Sequence, residues 1–147
     1  MYSSNLLRAK QTADIIGSHF GIKPILKEEL RERYLGKCCG KSVKWLKENL
    51  EKEEKTVDDK LFSDAESRRD EWNRLKPFFD EIVTNHEKNI VSHGDLLSIF
   101  NFMFLGIEIE KLNTSEIFGL PGGVSFLLIN DKGKRIIKRI SDMSYIL

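Results

Sequence analysis

Apolar positions along the chain recur at two periods, one of three to four residues and one of two residues, in alternating stretches. The longer period predicts helices over residues 6–20, 43–50, 66–85 and 96–105. The shorter period and short apolar runs predict strands over residues 2–4, 24–27, 89–92, 124–130 and 135–140, with Asp131-Lys132-Gly133 as the turn of a final hairpin. Strands that alternate with helices in this way predict a layered α/β fold.

The first and last predicted helices differ in the width of their apolar surface. The apolar face of the first consists of Leu6, Ala9, Ala13, Ile16 and Phe20. Gly21, which follows this helix, is a suitable C-cap. The helix at 96–105 is apolar on nearly all sides, so we expect it to be buried.

The helix at 66–85 contains a proline, and charged segments lie on its N-terminal side. Its apolar face consists of Trp72, Leu75, Phe79, Ile82 and Val83. Pro77 is expected to kink this helix or to begin a new segment, because proline removes a helical hydrogen bond. Residues 28–42 are predicted to be a loop, residues 51–64 a solvated connection or mobile flap, and residues 24–27 an edge strand.

Composition narrows the class of protein. A chain of 147 residues with a formal net charge of +1 fits one domain over residues 1–147 and gives no electrostatic reason to bind nucleic acid or an anionic membrane. The longest apolar run, residues 96–105, is too short to span a bilayer. The two cysteines, Cys38 and Cys39, are adjacent, which excludes a disulfide framework and makes a poor zinc site. We therefore expect a cytoplasmic protein without a metal.

Arg8 lies in the first turn of the helix at 6–20, directly after two serines. A helix N-terminus already carries partial positive charge, so a cation there is usually unfavourable. An anion held by both the guanidinium and the helix amides would explain this placement. From its position alone, Arg8 is equally well read as a solvated surface arginine.

His93 follows an apolar strand and precedes Gly94 and a helix. Ligands of open α/β sheets bind at the carboxyl ends of the strands, and glycine lets a ligand approach the backbone closely. A structural histidine at the strand end is the other reading that position alone leaves open. The remaining histidines, His19 and His86, are predicted to be surface residues at helix ends.

Two segments together resemble the histidine phosphatase superfamily, also called phosphoglycerate mutase-like. The matching positions are Ser3, Ser4, Leu6, Arg8, Ala9, Gln11, Thr12 and Ala13 in the first segment and Val91, Ser92, His93 and Gly94 in the second. The resemblance implies a three-layer α/β phosphoglycerate mutase-like fold. It also implies phosphoryl transfer on a small phosphorylated metabolite, without a metal or an organic cofactor.

The same resemblance implies roles for individual residues. Arg8, His93 and Gly94 would bind the phosphoryl group, with His93 taking part in catalysis. Glu32 resembles the glutamate that protonates the leaving oxygen. The flanking Arg31 and Arg33 favour its charged form and burial opposes it, so the sequence leaves that balance open. Glu66 resembles a substrate-binding glutamate. A loop at residues 120–124 would lie next to the phosphate.

The family's Arg-His-Gly motif, which supplies the histidine nucleophile, does not occur in the sequence. We therefore expect a family member that lacks its first strand and has little activity by itself. A non-catalytic relative that binds phosphorylated ligands or proteins is the alternative, and a small α/β interaction module is a third. The absent strand is expected to leave Ile90 and Val91 unpaired, to uncover the helix at 96–105 and to promote a homodimer through the exposed sheet edge.

Overall fold

A computed structural model describes residues 1–84 and 88–145 of the chain. His86 and the predicted helix end at residue 85 lie outside this range. His19 is exposed near the end of its helix, as predicted. No helix in the described part of the chain is long and apolar enough to cross a membrane.

Three short parallel strands form the first sheet. The strand β1 (Tyr2–Ser4) lies between β2 (Ile25–Lys27) and β3 (Ile90–Val91). In this register Tyr2 is opposite both Ile25 and Ile90. The carboxyl ends of the three strands therefore meet at one edge of the sheet. The predictions of strands in these regions, and of β2 at an edge, are confirmed.

The second sheet is the predicted hairpin. The strands β4 (Val124–Ile129) and β5 (Arg135–Asp142) pair in antiparallel register, with Gly133 at a positive φ of 74° in the turn. Leu127 and Ile137 of the hairpin pack against the main core. Among the described residues, the two sheets share no strand pairing.

The helix α1 (Leu7–Phe20) packs through small residues, which differs from the predicted face. Ala9, Ala13 and Gly17 are buried, whereas Ile16 and Phe20 are 38% and 67% exposed. Small side chains let the helix approach its neighbours closely, so the large apolar residues of the expected stripe point away from the core.

The helices α2 (Val43–Asn49) and α3 (Arg68–Val83) begin after serine caps. Ser67 and Asp70 form a reciprocal capping box, which explains why α3 begins two residues later than predicted. The helix continues through Pro77, so the alternative of a new segment at that residue is wrong. Pro77 is exposed, and water can reach the backbone carbonyl that a proline leaves without a helical partner.

The core lies between α3 and the helix α4 (Gly94–Leu105). Its most buried large side chains include Leu30, Leu75, Phe78, Leu96, Ile99 and Phe102. Because α4 is buried along most of its length, the expectation that an absent strand uncovers this helix is wrong. The backbones of Ile90 and Val91 pair with β1 on one side, whereas the other edge of β3 has no neighbouring strand among the described residues, as expected.

Two charged segments contain more structure than their composition indicated. Residues 28–42, predicted to be a loop, include 3₁₀ helices at Glu28–Leu30 and Gly36–Cys38. Outside these two segments, a third 3₁₀ helix at Ile109–Asn113 was also not predicted. Residues 51–64 are anchored by the buried side chains of Val57 and Phe62, which corrects the prediction of a solvated connection. Isolated apolar anchors within a charged run produce no periodic signal.

Candidate active site

Arg8 and His93 meet at the carboxyl edge of the three-stranded sheet, although 85 residues separate them in sequence. The Nε of Arg8 donates to Nδ1 of His93 at 3.1 Å. The other ring nitrogen of His93, Nε2, is 2.9 Å from Oγ of Ser4, and that hydroxyl also accepts from the backbone N–H of Leu6 at 3.2 Å. The parallel strands β1 and β3 bring these groups together, because each strand ends directly before one of the two helices.

His93 is neutral over the physiological pH range. Burial, followed by the charges of Arg8 and Arg74, lowers the pKa of His93 to about 4. Since Nδ1 accepts the hydrogen bond from Arg8, Nε2 carries the proton and donates to Ser4. The imidazole therefore has a fixed tautomer and orientation at the N-terminus of α4.

Glu32 lies against the same helix terminus. Its Oε1 accepts from the backbone N–H of Leu96, in the first turn of α4, at 3.2 Å. Burial raises the pKa of Glu32, and Asp95 adds to this effect, against the opposing hydrogen bond from Leu96 and the charge of Arg8. The balance that the sequence left open is thus decided by burial, which favours a protonated carboxyl.

Gly94 begins α4 and packs against a second glycine. A Cβ atom at Gly94 would lie 3.2 Å from the carbonyl oxygen of Gly119, and one at Gly119 would lie 3.1 Å from Cα of Gly94. The two glycines therefore allow close backbone contact. This contact brings the segment before the predicted loop at 120–124 next to His93 and Gly94.

The carboxylate of Glu66 is hydrogen-bonded within the protein. Its carboxylate accepts from Nε and Nη2 of Arg74 at 2.9 and 3.0 Å, and from the backbone N–H of Tyr34 at 2.9 Å. Arg74 also donates to the carbonyls of Glu29 and Arg31. Glu66 and Arg74 thereby hold the segment that carries Glu32 against α3.

A group of charged residues beside Glu32 was not identified from the sequence. This charge cluster consists of Arg33, Arg68, Glu54, Asp95 and Glu116. Arg33 hydrogen-bonds Glu54 through both terminal nitrogens, and its Nε is 3.1 Å from Oδ2 of Asp95. Arg68 lies 3.5–3.7 Å from all three acidic residues. Five separate segments contribute these side chains, so no sequence spacing could have revealed the group.

Glu71 is a further buried acid that sequence analysis missed. It is fully buried on α3, and neither carboxyl oxygen has a hydrogen-bond partner within the described residues. Burial, with the charges of Asp95 and Glu32, raises the pKa of Glu71 well above its ordinary value. Its position one helical turn before Leu75 places it on the core face, and that spacing was a signal available in the sequence.

A guanidinium, an imidazole and two helix N-termini at the carboxyl edge of a parallel sheet are groups that α/β proteins use to bind oxyanions. In sequence, a profile of the histidine phosphatase superfamily (branch 1) matches residues 1–142. The chain therefore belongs to this family. No curated protein matches the chain in a sequence comparison.

Several solved structures share the fold. A mycobacterial glucosyl-3-phosphoglycerate phosphatase, solved with inorganic phosphate, is 18% identical at a TM-score of 0.73, covering 97% of this chain and 76% of its own. YhfR of Bacillus stearothermophilus is 21% identical in sequence, with a TM-score of 0.72. The match covers 93% of this chain and 70% of YhfR. The α-ribazole phosphatase of Shigella flexneri is 19% identical in sequence, with a TM-score of 0.70. The match covers 96% of this chain and 72% of that enzyme. The predicted phosphoglycerate mutase-like α/β fold is confirmed.

Proposed function

We propose that this chain binds the phosphoryl group of a small phosphomonoester between Arg8 and His93, as part of a histidine phosphatase site. The observation that supports this most directly is the contact of Arg8, His93 and Ser4 at the N-termini of α1 and α4. Phosphatases that act on small phosphorylated compounds, such as glucosyl-3-phosphoglycerate and α-ribazole phosphatases, share the fold.

Each group has a distinct task in the proposal. Arg8 and His93 hold the non-reacting phosphoryl oxygens, and the backbone amide of Gly94 adds the field of a helix N-terminus. Glu32, whose pKa burial raises, would donate a proton to the leaving alcohol oxygen as a nucleophile takes the phosphoryl group; the proposal assigns that nucleophile to no residue among those described. No metal or organic cofactor is assigned to these steps.

Glu66 is retained in the proposal as a substrate contact. It would reach a substrate only by giving up a hydrogen bond to Arg74 or Tyr34. We also propose a cytoplasmic protein without a nucleic-acid partner, because the net charge is only +1. Self-association through the outer edge of β3 completes the proposal.

The phosphate site is tested by calorimetry with inorganic phosphate. We expect binding in the millimolar range, and a loss of about tenfold or more in Arg8→Ala, because a charge-assisted hydrogen bond contributes about 1.5–3 kcal/mol. Arg139→Ala is the matched control, since Arg139 lies on β5 and pairs with Asp142. Unchanged binding in Arg8→Ala would place the anion elsewhere.

A second candidate function is phospho-ligand binding without catalysis. It is favoured because His19, the other described histidine, lies at the opposite end of α1 from Arg8, about 16 Å away at 1.5 Å per residue. His93 would then bind the phosphoryl group with no second histidine beside it, among residues 1–84 and 88–145, to attack phosphorus. Hydrolysis of p-nitrophenyl phosphate by this chain should not exceed the buffer rate. Turnover that disappears in His93→Ala would instead favour the phosphatase.

A further inference from the structure

Carboxyl groups outnumber guanidinium groups within the charge cluster beside Glu32. The charge cluster contains Glu54, Asp95 and Glu116 against Arg33 and Arg68. Glu32 itself adjoins this cluster, because it is bonded to the helix turn that carries Asp95. Within the cluster, each guanidinium faces at least two carboxylates, so neither carries uncompensated positive charge.

Buried atoms of the same region lack hydrogen-bond partners in the described part of the chain. They are Nε of Arg33, Oδ1 of Asp95 and both carboxyl oxygens of Glu71. The side chain of Arg33 is only 8% exposed, and Glu71 is completely buried. Oδ1 of Asp95 is the acceptor among them that belongs to the charge cluster, and an unpaired acceptor at this position favours a neighbour that brings hydrogen-bond donors.

The cluster lies where a leaving group would be held. If Glu32 protonates the leaving oxygen, the rest of the leaving alcohol lies beside the groups that surround Glu32. Asp95 is two residues after His93, in the first turn of α4, and Glu116 lies in the chain segment before Gly119, which contacts Gly94. Arg8 contacts His93 and forms no ion pair with the described residues of the cluster, so the proposal leaves it for the phosphoryl oxygens.

We propose that the leaving group is an uncharged, hydroxyl-bearing alcohol, and that the charge cluster discriminates against phosphomonoesters with a carboxylate on that alcohol. Hydroxyl groups donate hydrogen bonds to carboxylates, whereas a second carboxylate would meet like charges in a partly buried site. This inference rests on the proposed function and names the substrate class of the same site.

Calorimetry of the full chain with two compounds of similar size tests the inference. Glycerol 3-phosphate carries a hydroxymethyl group at the position where 3-phosphoglycerate carries a carboxylate. We expect glycerol 3-phosphate to bind at least as tightly as inorganic phosphate, and 3-phosphoglycerate to bind about fivefold or more weakly than glycerol 3-phosphate, as charge interactions at partly exposed sites allow.

Two glutamate variants connect the discrimination to the cluster. Glu116→Gln should bring the ratio of the two dissociation constants to within about twofold, because it removes a carboxylate at the rim. Glu108→Gln, on an exposed residue at the other end of α4, should leave the ratio unchanged. An unchanged ratio in Glu116→Gln would overturn the assignment to this cluster.

Failure of the inference is distinguishable from failure of the proposed function. If Arg8→Ala weakens phosphate binding but both compounds bind equally, only the inference is wrong. If 3-phosphoglycerate binds more tightly, Arg68 receives its carboxylate and the inference is overturned. If Arg8→Ala changes nothing, the proposed site itself is wrong.

Discussion

Burial decides the protonation of the residues at this site. His93 and Glu32 are ordinary titrating groups in a peptide, yet burial is the largest influence on the pKa of each. Burial lowers the pKa of the His93 imidazole, which favours its neutral form, and raises the pKa of the Glu32 carboxyl, which favours its protonated form. A raised pKa suits Glu32 for the proposed role of acid. A neutral His93 has one N–H, on Nε2, and would bind a phosphoryl oxygen by turning this donor from Ser4 to the ligand.

Glu71 provides a test of burial at this scale. Its folded-state pKa is raised, so the folded protein keeps a proton that the unfolded chain loses above pH 4.5. Stability from this group is therefore complete below that pH and falls as pH rises toward the raised value. We expect Glu71→Gln to lose less stability than the wild type between pH 5.5 and 8.5, as measured by urea unfolding.

Glu53→Gln is the control for this measurement, because Glu53 is exposed and makes a loose ion pair with Lys55. The raised pKa of Glu32 and the titration of His93 are common to all three proteins, so only the difference between slopes is informative. Parallel pH dependences for the wild type and Glu71→Gln would show that Glu71 is ionised in the folded protein.

At the scale of elements, α1 is positioned by its smallest residues. Gly17 lies under the turn that follows the helix, where Gly21 and Ile22 both donate to its carbonyl oxygen. The strand β2 begins directly after this turn. Close packing here therefore holds the edge strand and the helix that carries Arg8 together.

Gly17→Ala should destabilise the protein although alanine is the better helix former. The added Cβ would lie 2.3 Å from the carbonyl oxygen of Ile22. Overpacking of this kind costs about 1–3 kcal/mol, against a gain of about 1 kcal/mol in helix propensity. Ser18→Ala, at the next and exposed position, should not destabilise. A midpoint of thermal unfolding for Gly17→Ala at or above the wild type would contradict this packing.

At the scale of the whole molecule, exposed sheet edges and apolar side chains favour association. The outer edge of β3 has no neighbouring strand among the described residues, and the hairpin strand β4 exposes Val124 and Phe126 by more than half. Unpaired strand edges recruit other strands, and exposed apolar patches promote contact between chains.

We expect the chain to sediment as a dimer or larger species at micromolar concentration. Phe126→Lys tests the contribution of the exposed apolar side chains of β4 separately from the edge of β3, and it should shift the chain toward the monomer because a charge there opposes apolar contact between chains. Val43→Lys is the control, since Val43 is 70% exposed on α2. A monomer at all concentrations, with a cooperative melt, would show that the edge of β3 is not a site of association.

Sequence patterns alone predicted those features whose signal lies within one short segment of the chain. The hairpin, the buried helix α4 and the motifs around Arg8 and His93 each depend on neighbouring residues, because turns, helix periodicity and helix N-termini are local properties. The family followed from the same two motifs. The strand β1, only three residues long, was predicted because the family segment that it resembles has a strand ending in two serines before the helix.

Only the tertiary structure decided which residues surround Glu32 and which face of α1 is buried. Arg33, Glu54, Asp95 and Glu116 come from distant segments, and a charge that is paired in the fold has the same sequence signal as a solvated one. The burial that raises the pKa of Glu32 and of Glu71 also depends on packing. Local sequence determines the elements and the positions of Arg8 and His93, the groups proposed to hold phosphate. The dielectric environment and the partners of these groups arise only when the segments pack together.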